Sequence, residues 1–102
     1  MIYVIATIET KPGKREAFLA EFKRNIPNVR AEMGCLEYGP TVDLKTGIAR
    51  QIPLRENTVT IIEKWESLQA LQAHMQTSHM LEYRERVKDL LTGSALQILE
   101  PK

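Results

Sequence analysis

Cysteine is nearly absent from this chain. Cys35 is the one thiol among 102 residues, so neither an internal disulfide nor a multi-thiolate metal site can form. An excess of one charge is also missing, with 14 Lys and Arg against 13 Asp and Glu and a net charge of +1. That balance lacks the electrostatic footprint of a nucleic-acid binder or a polybasic membrane-surface protein. No apolar run approaches the roughly 20 residues that a membrane-spanning helix requires. The opening MIYVIATIE reaches an acid at Glu9, with neither a basic n-region nor a small-residue cleavage site, so no secretory signal is expected. Given a lone cysteine and no export signal, the reducing cytoplasm is the expected location. The glycines make no phosphate-cradling loop or dinucleotide fingerprint, and no Ser-His-Asp arrangement is visible.

What is present suits one folded domain over 1–102. The 43% apolar share supplies a core, and the 26% charged share is ordinary for a soluble protein. Residues 2–9 form a β-rich apolar run that ends at Thr10-Lys11-Pro12-Gly13. Phe18, Phe22, Ile26, Val29 and Met33 then recur at helical spacing. Pro12 suits the first helical turn, Pro27 predicts a kink or break near Asn25–Ile26, and Gly34 offers a left-handed stop. Cys35 to Asp43 alternates as a second strand, which Pro40 places at an edge or marks with a bulge around Gly39–Pro40. Thr58 to Trp65 is the clearest strand.

Ser67 is a good N-cap, and Leu68, Leu71 and Met75 mark the buried face of a short helix. Gln76-Thr77-Ser78 offers a second cap. Met80, Tyr83, Val87 and Leu90 continue helically to Leu91, Thr92-Gly93 closes the helix, and Ser94 to Glu100 is a last short strand. The order β-α-β-β-α-β, with its second helical region in two pieces, is the ferredoxin-like split βαβ pattern of the α+β class. Its helices lie on one face of a four-stranded antiparallel sheet. Apolar residues occur on both faces of the strands. Ile2, Val4 and Ala6 oppose Tyr3 and Ile5; Val59 and Ile61 oppose Ile62; Leu96 and Ile98 oppose Ala95 and Leu99. Helices can cover one face. A second copy of the sheet is the economical cover for the other, so a homodimer is expected.

Few residues could carry chemistry. Trp65 ends the third strand, where an indole serves either as core or as the wall of a pocket. Glu63 shares its face, and a carboxylate on the buried side of a strand needs a partner such as an arginine or a backbone donor. His74 and His79 are the only imidazoles. Their i, i+5 spacing is not that of a helical zinc motif, and no metal site is expected. Either could be a general base near neutral pH or merely satisfy a helix end. Tyr3, Tyr38 and Tyr83 could donate to a bound oxygenated ring or simply pack in the core. Cys35 reads as a small buried hydrophobe.

Three segments taken together resemble a known family: PGKREAF at 12–18, GCLEY at 34–38 with Asp43 after it, and EKWESLQALQAHMQTSH at 63–79. They are similar to the antibiotic biosynthesis monooxygenase family, and closest in feel to its small quinol-monooxygenase-like members. The likeness runs from about Ile2 to Leu99. It implies a dimeric α+β barrel and the oxidation of quinol-type aromatics by O₂ without metal or flavin, hence no cofactor. It also implies Trp65 as cavity wall, His74 or His79 as proton acceptor and Tyr38 as an orienting donor, with Glu63, Ile61 and Tyr83 beside the substrate. Two positions depart from related reactions. Ile61 stands where members acting on polyketide quinols carry an asparagine, and residues 2–9 lack the asparagine of haem-degrading members. The 44–57 stretch is longer than the usual connection and forms an extended hairpin, a lid or an arm across the dimer.

Three readings follow: a cofactor-independent quinol oxygenase, a non-catalytic dimeric module binding a small phenolic metabolite, and an isomerase of a small phosphorylated sugar. The last requires Arg50, Arg55, Arg84 or Arg86 to point inward.

Overall fold

Val4, Ala6 and Ile8 alternate with Tyr3, Ile5 and Thr7 along strand β1 (Ile2–Thr10), and the first set is buried beneath the helices. The computed structural model describes all 102 residues. Helix α1 (Arg15–Arg30) leads to β2 (Cys35–Thr41), and β3 (Thr58–Trp65) precedes helices α2 (Leu68–Met75) and α3 (Ser78–Val87). A 3₁₀ turn over Lys88–Leu90 enters the last strand, β4 (Leu91–Leu99). The strands form one antiparallel sheet in the order β2-β3-β1-β4, the expected ferredoxin-like α+β arrangement. Val4 pairs with Glu63 and Ala6 with Ile61, while on the opposite face Ile5 pairs with Ile62 and Tyr3 with Lys64. The core between sheet and helices centres on Trp65, Phe18, Phe22, Val4, Val29 and Val59.

Local chemistry sets most boundaries. The Ser67 hydroxyl accepts from the Ala70 N–H at 3.1 Å and opens α2, and Thr77 accepts from Met80 and opens α3. Several sequence expectations are corrected. Pro12 lies in a turn ahead of α1 rather than in its first turn, because Gly13 next to it takes a left-handed φ of 76°. Helix α1 runs unbroken through Pro27, and the Ala31 N–H still reaches the Pro27 carbonyl. The helix ends at Arg30, not Met33, whose side chain is 92% exposed. Gly34, at φ 86°, turns the chain into β2 instead of capping the helix; a Cβ there would lie 2.6 Å from that of Ala70. In α2 only Leu71 of the expected apolar stripe is buried, and Leu68 and Met75 are exposed.

Strand β2 is an edge strand, as Pro40 requires, but its register shifts between Cys35 and Glu37 rather than at Gly39–Pro40. Strand β4 begins at Leu91, where a continued helix was expected. Leu96 and Ile98 share the helix side of the sheet with Ala6 and Val4, yet both are 50% exposed. The helices stop short of β4 and leave that edge open. Between β2 and β3, residues 44–57 form no strand. The base of this loop is stapled by Arg55, which donates to both oxygens of Asp43 at 2.9 and 2.8 Å.

Candidate active site

The gap between the uncovered part of the sheet and helices α2 and α3 is a cavity of about 350 Å³. Its sheet side carries Ala6, Ile8, Ile61 and Glu63, and its helix side Leu71, His74, Met80, Tyr83 and Val87. Tyr38 reaches it from β2. The exposed lining residues Arg84, Lys88, Ser94 and Leu96 come from α3, the turn after it and β4, so the cavity opens on that side. A mostly apolar cleft of this size with a few convergent polar groups is the usual form of a small-molecule site.

His74 sits in the last turn of α2 and is 3% exposed. Its Nδ1 lies 2.8 Å from Oε2 of Glu32, a residue just beyond the end of α1. A carboxylate can only accept, so Nδ1 carries the proton and Nε2 of the neutral ring keeps a lone pair. The ring packs against Trp65, with centroids 4.6 Å apart, and edge-on against Tyr38 at 5.6 Å. Tyr38 is stacked on Phe22 at 5.1 Å, which fixes the aromatic wall from the α1 side.

Glu63 is buried, and its expected partner proves to be neither arginine nor backbone. The Trp65 indole N–H donates to its Oε1 at 2.9 Å. Burial above all, with some help from the Glu32 charge and against the pull of the Trp65 bond, raises the Glu63 carboxyl to about 7. Burial likewise holds the Tyr38 and Tyr83 phenols above their ordinary range, so both stay neutral and able to donate. Neither hydroxyl has a partner within the protein. Cys35 is half-buried, and burial and the nearby Glu32 and Glu63 charges raise its thiol, in keeping with a packing role.

Of the residues named from sequence, His74, Glu63, Tyr38, Ile61 and Tyr83 therefore converge on one cavity. Trp65 does not line it. The indole is fully buried behind Glu63 and His74, so it is core and the support of the wall rather than the wall itself. His79, in the first turn of α3, also stands outside the lining. Its Nε2 is 3.3 Å from the same Glu32 oxygen as His74, off the line of a good hydrogen bond and with no other partner. Its Nδ1 lies 3.2 Å from Asn25 Nδ2. Glu32 and Asn25 were missed by sequence reasoning, because their partners lie 42 and 54 residues along the chain and no local spacing joins them.

Comparison with known proteins bears on the family and the fold. The family model described as antibiotic biosynthesis monooxygenase matches residues 1–86. The chain is 41% identical to YgiN of Escherichia coli (strain K12), named a probable quinol monooxygenase, over 99% of this chain and 98% of the relative. Among solved structures, PA3566 from Pseudomonas aeruginosa superposes with a TM-score of 0.81 at 29% identity, covering 99% of this chain and 93% of its own. Rv0793 from Mycobacterium tuberculosis does so with the same score and identity, covering 99% and 94%. A family match over residues 1–86, a relative 41% identical over nearly the whole chain and a shared fold place this chain in the antibiotic biosynthesis monooxygenase family.

Proposed function

We propose that the chain is a cytoplasmic, homodimeric monooxygenase of quinol or dihydroxy-aromatic substrates that uses O₂. The observation that carries this reading is His74 in the cavity, with Glu32 on Nδ1 and no protein group on Nε2. Nε2 takes the proton of a substrate hydroxyl, and the resulting phenolate is electron-rich enough to reduce O₂. One oxygen atom enters the ring and the other leaves as water. The substrate supplies all the electrons and departs as a hydroxylated quinone, so no separate reductant is needed. Tyr38 and Tyr83 donate to the second substrate oxygen, Glu63 exchanges a proton near neutral pH, and the apolar walls keep water from the intermediates.

The relative named a quinol monooxygenase supports the substrate class. The two-sided sheet supports the dimer, since Ile5, Ile62 and Tyr3 are only half-covered on the face away from the helices. Exposed Leu44, Ile48, Ile52 and Leu54 support the reading of 44–57 as an arm toward the second copy. A second reading, a binding module for a phenolic metabolite, is favoured by Ile61, which gives the cavity hydrocarbon at the position of a polar amide. The isomerase reading lacks its cationic pocket. Arg55 is held by Asp43 and Arg86 by Glu21, Arg50 is exposed, and Arg84 lies only at the cavity mouth.

An oxygen electrode with hydroquinone and 1,4-naphthohydroquinone separates these readings. The expected result is O₂ uptake of one mole per mole of quinol, lowered about 100-fold or more in His74→Ala. Saturable binding with uptake no faster than autoxidation would leave the binding module as the function.

A further inference from the structure

Glu32 is a largely covered carboxylate between two imidazoles. Its side chain is 13% exposed; those of His74 and His79 are 4% and 22% exposed. The three arrive from different elements: Glu32 from the turn after α1, His74 from the end of α2 and His79 from the start of α3. On the far side of His79, Asn25 projects from α1 and is itself buried. Its amide orientation is fixed by its partners, since Asn28 Nδ2 donates to Asn25 Oδ1 at 3.0 Å while Asn25 Nδ2 also faces the Met80 sulfur. Asn25 therefore donates to His79 Nδ1, so the proton of the neutral His79 ring is on Nε2, the nitrogen turned toward Glu32,. Nδ1 of His79 is thus taken up by Asn25, while its Nε2 is buried 3.3 Å from Glu32 without a well-aligned hydrogen bond. Nε2 of His74 has no protein partner.

We propose that Asn25, His79 and Glu32 form a positioning chain for His74, and that Glu32 is its decisive member. The hydrogen bond from His74, with the polar edge of His79 3.3 Å from the same oxygen, favours a negative carboxylate there,. That carboxylate holds His74 in the Nδ1–H tautomer, which turns the Nε2 lone pair to the cavity. Glu32 is also the counter-charge when Nε2 takes a proton and the ring becomes imidazolium, a charge that the C-terminal end of α2 favours too. His79, at the N-terminal end of α3, turns Nε2 toward Glu32 and stands outside the cavity lining, so it is not an alternative base. The other ionisable groups around this chain are Cys35 on β2 and Glu63 on β3, both within electrostatic reach of Glu32, and Tyr38, which packs on His74. None of them hydrogen-bonds Glu32. The role of His74 as base rests on the quinol reading above; the tautomer and its cause do not.

The test is the ¹⁵N spectrum of the histidine rings in the uniformly labelled, substrate-free protein at slightly alkaline pH, wild type and Glu32→Gln. In the wild type, His74 is expected with Nδ1 protonated and Nε2 bare, and His79 with the reverse. Glu32→Gln keeps the shape but loses the charge, so His74 should become a tautomer mixture. Where quinol turnover is measured, kcat of this variant should fall about 100-fold with KM little changed, and Glu32→Asp should recover part of the loss. A wild-type His74 found mainly as the Nε2–H tautomer overturns the proposal even if no variant folds. So does a folded Glu32→Gln whose His74 tautomer is unmoved. Absence of turnover in the wild type would count against the quinol reading alone, since the tautomers are read without substrate.

Discussion

At the scale of single residues, Glu63 shows how one burial serves two ends. Desolvation favours its neutral form, and the Trp65 N–H, which favours the anion, only partly offsets this,. The carboxyl is therefore poised near 7 in the fold, against the usual 4.5. Such a group can hold or release a proton at neutral pH, and it makes stability depend on pH. The native state binds this proton more tightly than the unfolded chain does. Its contribution is thus fully present below about 4.5 and is lost as pH rises through about 7. At about 1.4 kcal/mol per tenfold change in the ionisation constant, the loss comes to about 3–4 kcal/mol. Glu63→Gln removes the ionisation while its carbonyl still accepts from Trp65. Urea unfolding at intervals from pH 5 to 8 should show wild-type stability falling relative to the variant, and the gap should be widest at pH 8. A constant gap across that range would mean that Glu63 ionises as freely in the fold as in the open chain.

Elements are where the sequence was most and least legible, and the difference is one of range. Thr58 to Trp65 and the caps Ser67 and Thr77 were readable because β-branched alternation and a hydroxyl three residues ahead of an amide are local signals,. The end of α1 was misplaced because Met33 continues an apolar period that the turn at Glu32–Gly34 interrupts. The start of β4 was missed because pairing of Thr10 with Leu91 outweighs helical spacing there. The cavity residues on β3 and α2 were found from one stretch of sequence, whereas Asn25 needed α1 packed against α3, and Glu32 the turn after α1 brought to the end of α2, before they had partners. Pro27 is the residue whose local preference lost. It lies one turn from the C-terminal end of α1 and is exposed, so tertiary burial of Phe22 and Val29 on the opposite face holds the helix through it. Its missing N–H is still a cost. Pro27→Ala restores a backbone bond without touching the core and should stabilise the protein by about 1–2 kcal/mol, less than the full helix-interior penalty because proline also restricts the unfolded chain. A rise in the thermal midpoint by several degrees would show this, and no rise would mean that the bend itself aids packing.

For the molecule as a whole, the sheet poses a question that its helices leave open. They cover β3 and β1 on one side, stop short of β4, and leave the far side to solvent in a lone protomer. On that far side Ile5 and Ile62 face each other across the β1–β3 pair, with Tyr3 one step along the strand. A row of this kind at the centre of a sheet is expensive to expose and easy to bury against its own copy, because a two-fold axis brings identical patches together. Protomers of 11.7 kDa should therefore sediment at micromolar concentration as a species of about 23 kDa. Ile5→Glu with Ile62→Lys tests the cause. The two new charges sit opposite each other across the strands, where an ion pair is tolerated in a solvated face, but two such faces cannot stack without burying charge. The double variant should keep its far-UV circular dichroism and sediment as a single protomer. A wild type that already sediments as a protomer would mean that this face is stable in water, and the dimer proposal would fall with it.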